Sequence, residues 1–216
     1  MYADTAVSIP ADGVSLDADL MVPDNARGVV LFAHGSGSSR HSPRNRMVAG
    51  LLQEHGLATV LADLLTPGEA AQDAATGLLR FDIDLLGRRT VALVDWVATV
   101  EPVRGQPVGL FGASTGAAAA LVAAADRPVA VRAVVSRGGR PDLAGDALPR
   151  VRAPTLLIVG ERDRPVVVLN EQAAATLTAP HRMVVVPGAT HLFEEPGALA
   201  EVADHAAEWF TIHLSG

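Results

Sequence analysis

Apolar residues in this chain follow two alternating patterns. Short unbroken runs at Val29-Val-Leu-Phe-Ala33, Ala58–Ala62, Val108–Phe111, Ala133–Val135, Thr155–Val159 and Met183–Val186 read as strands buried on both faces, as in a parallel sheet. Between them, apolar residues recur at helical spacing. Residues 44–55 place Met47, Val48, Leu51 and Leu52 on one face. Residues 83–99 do the same with Leu86, Leu93, Val94 and Val97, and residues 198–213 with Leu199, Val202, Ala206, Trp209 and Phe210. The Ala-rich run Ala117–Ala125 reads as a further helix. At the start, residues 4–9 and 14–22 read as two strands joined by the turn-rich Pro10-Ala-Asp-Gly13, a hairpin signature. Strand–helix alternation predicts an α/β fold, an open and mostly parallel sheet with helices on both faces. Two segments read as long loops, Gly35–Asn45 and Asp63–Arg80, and both leave from carboxyl ends of strands, where open parallel sheets bind ligands.

Composition narrows the picture. A length of 216 residues without a repeat or a long linker fits one domain over 1–216. A net charge of −7 argues against general nucleic-acid binding, which needs a basic face. Cysteine is absent, which removes disulfides, thiolate metal sites and a cysteine nucleophile. All 17 basic residues are arginine, so Schiff-base chemistry, a Ser-Lys dyad and a lysine-bearing phosphate loop are excluded as well. Met1-Tyr-Ala-Asp4 lacks a basic start with an apolar stretch after it, and the longest small-apolar run, Gly116–Ala125, is too short to span a bilayer. The expectation is a cytoplasmic protein with no membrane partner, a monomer or homodimer.

The chemistry is concentrated in Gly112-Ala113-Ser114-Thr115-Gly116, between an apolar run and the Ala-rich helix. A sharp strand-to-helix turn there would push the Ser114 hydroxyl out of the fold and aim the first N–H groups of the helix at the reacting centre. A serine hydroxyl needs a base to take its proton, and the base needs a partner to fix its tautomer. His191 and Asp163, each just past a strand, supply base and acid; Asp142 and Glu161 are alternatives for the acid. The oxyanion of a tetrahedral intermediate needs two preorganised donors, here expected from the backbone N–H of Thr115 and, in the loop His34-Gly35-Ser36-Gly37, that of Ser36. Gly35-Ser36-Gly37 also imitates the start of a dinucleotide-binding loop, but Arg40 stands where the third glycine belongs. His34 reads as a residue that ties the loop down. His41, His55, His181, His205 and His213 lack paired metal-ligand spacing, so no metal is expected.

With these motifs in place, His34-Gly-Ser-Gly37, Gly112-Ala-Ser-Thr-Gly116, Gly160-Glu-Arg-Asp163 and Gly188-Ala-Thr-His191, the chain resembles the α/β-hydrolase superfamily, and within it the small dienelactone-hydrolase-like branch. The resemblance implies about eight strands, an antiparallel edge from the N-terminal hairpin, and a cofactor-free hydrolase of esters, thioesters or lactones. It departs at the nucleophile. Dienelactone hydrolases proper use cysteine, whereas the serine here favours a carboxylesterase mechanism on a small-molecule ester. Thioester or lactone hydrolysis, acyl transfer with the same triad, and a non-catalytic binding module are the other readings.

Many superfamily members insert a cap after the strand that ends here near Ser136, but only Arg137–Arg152 separates it from the next strand. An open, capless site is therefore expected. Arg40, Arg44, Arg46, Arg137, Arg140, Arg162 and Arg164 cluster near its rim, and Arg137 and Arg140 are the candidates to hold an anionic group of the substrate.

Overall fold

The structure is a computed structural model and describes residues 5–101 and 103–214. Its core is one eight-stranded sheet in the order β1-β2-β4-β3-β5-β6-β7-β8. The strands are β1 (Thr5–Ala11), β2 (Val14–Met21), β3 (Val29–Ala33), β4 (Ala58–Ala62), β5 (Val108–Ala113), β6 (Val131–Arg137), β7 (Thr155–Gly160) and β8 (His181–Val186). β3 to β8 run parallel, and β1 and β2 add an antiparallel edge. Residue 4, the expected start of the first strand, lies outside the described residues. The hairpin turn is tighter than expected: pairing continues to Ala11 and Val14, and Asp12 (φ 50°) and Gly13 (φ 80°) form the link. Both residues take positive φ, as hairpins with two-residue loops require.

The continuous apolar runs are buried at every position of β3, β4, β5 and β7, because helices cover both faces of the sheet. On one face, α3 (Ile83–Val97) and α4 (Thr115–Asp126) pack over Leu31, Val60, Leu110 and Val134. On the other, α1 (Pro43–Glu54) and α6 (Ala198–Leu214) pack over Val30, Phe32, Phe111, Val135 and Ile158. Ten of the twelve α4 residues are buried, nine of them alanine, glycine, threonine or another small type, which lets this helix lie close to the sheet.

Two helices were not legible as such. The segment read as a long loop at 63–80 contains α2 (Pro67–Thr76) and a 3-10 turn at Leu79–Phe81. Only Asp73 of α2 is buried, so no apolar stripe announces it, yet Thr66 and Glu69 form a capping box around Pro67 at the first turn. α5 (Arg164–Thr176) carries Pro165 in its first turn followed by three valines and leucine, a composition that suits a strand better; packing of Val166, Asn170 and Ala173 overrides that preference. The link between β6 and β7 holds 3-10 turns at Pro141–Arg150, kinked at Gly145. Among the described residues there is no separate cap domain.

Candidate active site

Ser114 lies at the junction of β5 and α4 with φ 51° and ψ −122°, a conformation that few side-chain-bearing residues adopt. The junction is tight enough to dictate its neighbours. A Cβ at Gly116 would come within 2.1 Å of the Ala33 carbonyl oxygen, and one at Gly112 within 2.4 Å of Ala117 Cα. The glycines of the motif are thus space requirements of a helix that starts directly beside two strand ends. The elbow is tied to the next loop as well: Ser114 N–H donates to the Arg137 carbonyl (3.3 Å), and Arg140 N–H donates to the Ser114 carbonyl (3.0 Å).

Asp163 and His191 meet. His191 Nδ1 and Asp163 Oδ2 are 2.6 Å apart, with the imidazole 39 % exposed and the carboxylate 16 %. The loops that carry them are laced together, since Glu161 N–H donates to the Val186 carbonyl (3.0 Å) and Arg162 N–H to the Ala189 carbonyl (2.9 Å). The other two acids weighed from the sequence are engaged elsewhere. Asp142 holds Arg140, and Glu161 accepts from Gly188 N–H at 2.7 Å. His191 and Ser114 border the same turn: a Cβ at Gly138 would lie 3.6 Å from His191 Cε1, and Gly138 is flanked by the residues bonded to Ser114. Among the described residues no hydrogen bond joins the Ser114 hydroxyl to His191.

Ser36 and Thr115 face one another across 79 residues of chain, their hydroxyls 3.2 Å apart. Thr115 is the first residue of α4, where a backbone N–H has no intrahelical acceptor. Both border a cavity of about 390 Å³ between the β3–α1 loop and α2. Leu65, Pro67, Ala70, Ala74 and Leu86 give it an apolar wall. Its charged residues are already paired: Asp63 with Arg40, and Asp73 with Arg80, whose Nε is 2.8 Å from Asp73 Oδ2. The composition of α2 concealed its share of this wall.

His34 is buried and ties the loop down. Its Nε2 accepts from Leu64 N–H (3.0 Å), which leaves the proton on Nδ1 to donate to the Gly35 carbonyl (2.9 Å). Burial lowers its pKa and favours this neutral form. Behind it, α2 is moored by Arg89, which is only 2 % exposed. Its guanidinium donates to both Glu69 oxygens (2.7 and 2.6 Å) and to the Leu64 carbonyl (2.7 Å). The Arg89 hydrogen bonds hold the Glu69 pKa down to about 2.

The two arginines proposed to meet an anion part company. Arg140 clamps Asp142 through Nε (2.8 Å) and Nη2 (2.7 Å), so its fork is occupied. Arg137 is buried with 8 % exposure and has no hydrogen bond from its guanidinium among the described residues.

A parallel sheet with an antiparallel edge, a strained serine at a strand-to-helix elbow and a histidine–aspartate pair on neighbouring loops define an α/β hydrolase. The profile of the dienelactone hydrolase family matches residues 16–211, and the chain belongs to that family. It is 57 % identical over 99 % of its length to a crystal structure of a dienelactone hydrolase from Anabaena variabilis, with 99 % of that chain covered and a TM-score of 0.96. Est1E from Butyrivibrio proteoclasticus shares the fold at a TM-score of 0.81, with 17 % identity over 98 % of this chain and 99 % of that one. Two curated Mycobacterium tuberculosis proteins, each named "Putative phosphoribosyl transferase", are 57 % identical over 99 % of this chain. The chain spans 47 % of their length, about half. No helix among the described residues is long and apolar enough to cross a membrane.

Proposed function

We propose that the chain hydrolyses carboxylic esters through an acyl-enzyme on Ser114. The observation that carries this reading is the 2.6 Å Asp163–His191 contact on the loop that borders the strained Ser114 elbow. In this reading Asp163 fixes the imidazole with its Nδ1 protonated, which leaves Nε2 to take the Ser114 proton. The hydroxyl attacks the acyl carbon, and Thr115 and Ser36 N–H groups receive the charge on the carbonyl oxygen. His191 then protonates the leaving alcohol, and water releases the acid by the reverse sequence. Catalytic hydrogen bonds often tighten only in the substrate complex, so the serine–imidazole bond is assigned to that state. The family membership and the identity with the Anabaena dienelactone hydrolase support hydrolysis over binding alone. The cavity, with its apolar wall and its charges paired off, suits an uncharged acyl or alkyl group of modest size.

The test is a panel of p-nitrophenyl esters, a thioester, a lactone and an anilide, run on the wild type and on Ser114→Ala. Ester turnover that falls by several orders of magnitude in a folded Ser114→Ala protein is the expected result. Wild-type-like turnover by that variant contradicts the mechanism. Hydrolysis confined to thioester or lactone would move the substrate class and keep the nucleophile.

A further inference from the structure

Arg137 is a buried cation without a counter-charge among the described residues. It is the last residue of β6, and strand alternation puts it on the same face as Ala133 and Val135. That face is covered by α1, α6 and Phe193, which is 1 % exposed. Ser136, on the opposite face, packs towards α4, where a Cβ at Gly139 would meet both its hydroxyl and Ala117. Arg137 thus stands at the carboxyl end of β6 on the face that α1 and α6 cover. Its Nη1 is buried with no partner.

A second cation lies on the same side of the sheet. Arg44, in the first turn of α1, has a buried Nε without a partner among the described residues. Burial of Arg137, and after it the charge of Arg44, lower the Arg137 pKa to about 10, which keeps Arg137 charged at neutral pH. The nearby carboxylate is Glu194, 65 % exposed, which reaches only Arg44, at 3.5 Å. An unpaired buried charge is costly, and a like charge nearby makes it more so. Arginine forks match oxyanions in a planar, two-point geometry. Both arginines have donors to spare, and Glu194 shows that a solvent-exposed carboxylate can reach Arg44.

We propose that Arg137 and Arg44 form a binding site for an oxyanion group, a carboxylate or phosphate, separate from the donors at Ser36 and Thr115. Such a site does not depend on ester hydrolysis, and its primary readout is binding. The ion has two possible sources, a free anion or an anionic group on the substrate, and the shared chemistry is the oxyanion.

Thermal unfolding of the wild type in inorganic phosphate, against chloride at matched ionic strength and pH, should show a saturable rise of the melting temperature. Arg137→Met, an apolar replacement of similar length, should weaken the phosphate response on the order of tenfold or more, as loss of a charged hydrogen-bond donor implies. Arg44→Gln should weaken it as well. Its side chain is about one-third exposed, so that variant serves if Arg137→Met fails to fold. An identical response of the wild type to phosphate and chloride overturns the site, and so does a phosphate response unchanged in both variants. The source is read from turnover. Phosphate competing with a carboxylated ester but not with a neutral one assigns the ion to the substrate. Phosphate that binds without affecting either ester assigns it to a free anion.

Discussion

At the residue scale, the site depends on a few positions with little freedom. Ser114 holds positive φ because β5 must turn into α4 within one residue, and Gly112 and Gly116 are there because any side chain would collide with backbone. The Gly-x-Ser-x-Gly spacing made this legible before any coordinates, since only small residues fit such a crossing. The sequence points to Asp163 as the acid but does not by itself exclude Asp142 or Glu161. Three acids lie in post-strand loops, and which one meets His191 depends on how the β7 and β8 loops are bonded together. The same holds for the arginines: sequence alone could not tell that Arg140 is clamped by Asp142 two residues away while Arg137 points into the fold without a partner. If Asp163 sets the tautomer of His191, Asp163→Asn should lower kcat by roughly 10³–10⁴-fold with little change in stability. Steady-state kinetics beside circular dichroism checks this. A loss below tenfold would return Asp142 and Glu161 to consideration.

At the element scale, the strands and the long amphipathic helices were the readable part. β3 and β4 match their runs residue for residue, because every position is buried and the pattern stops sharply at each end. Helix α2 was unreadable by periodicity because it lies over the cavity mouth rather than on the core. What fixes it is polar: the capping box at Thr66 and Glu69, and the bond of Glu69 to the buried Arg89. This makes its mooring sensitive to acid. The folded-state pKa of Glu69, about 2, lies below its ordinary value of 4.5. Its contribution is therefore complete above about pH 4.5 and is lost as the pH falls towards 2. Glu69→Gln leaves Arg89 buried without its charge partner and should cost on the order of 1–3 kcal/mol at pH 7. Denaturant unfolding of wild type and variant across pH should show the gap narrowing below pH 4.5. A gap that stays constant down to pH 3 would mean that Glu69 contributes by shape rather than by charge.

At the scale of the whole molecule, the sheet order places every candidate group at the carboxyl edge of the parallel strands. Ser36 follows β3, Ser114 follows β5, Arg137 ends β6, Asp163 follows β7 and His191 follows β8. The short β6–β7 link carries no cap domain among the described residues, so the rim is shaped by the β3–α1 loop, α2 and the loop with His191. The alternation of apolar runs and helical stretches foretold this architecture. It could not foretell that the segment at 63–80 would fold back as a helix to wall a cavity beside the donors. Ester hydrolysis at this site requires Ser114 to be an activated nucleophile, and covalent labelling tests that most directly. An alkyl fluorophosphonate, with the adduct located by peptide mass spectrometry, should modify Ser114 at one group per chain and leave folded Ser114→Ala unmodified. Folded wild-type protein that stays unlabelled, or a Ser114→Ala protein labelled equally well, would contradict it.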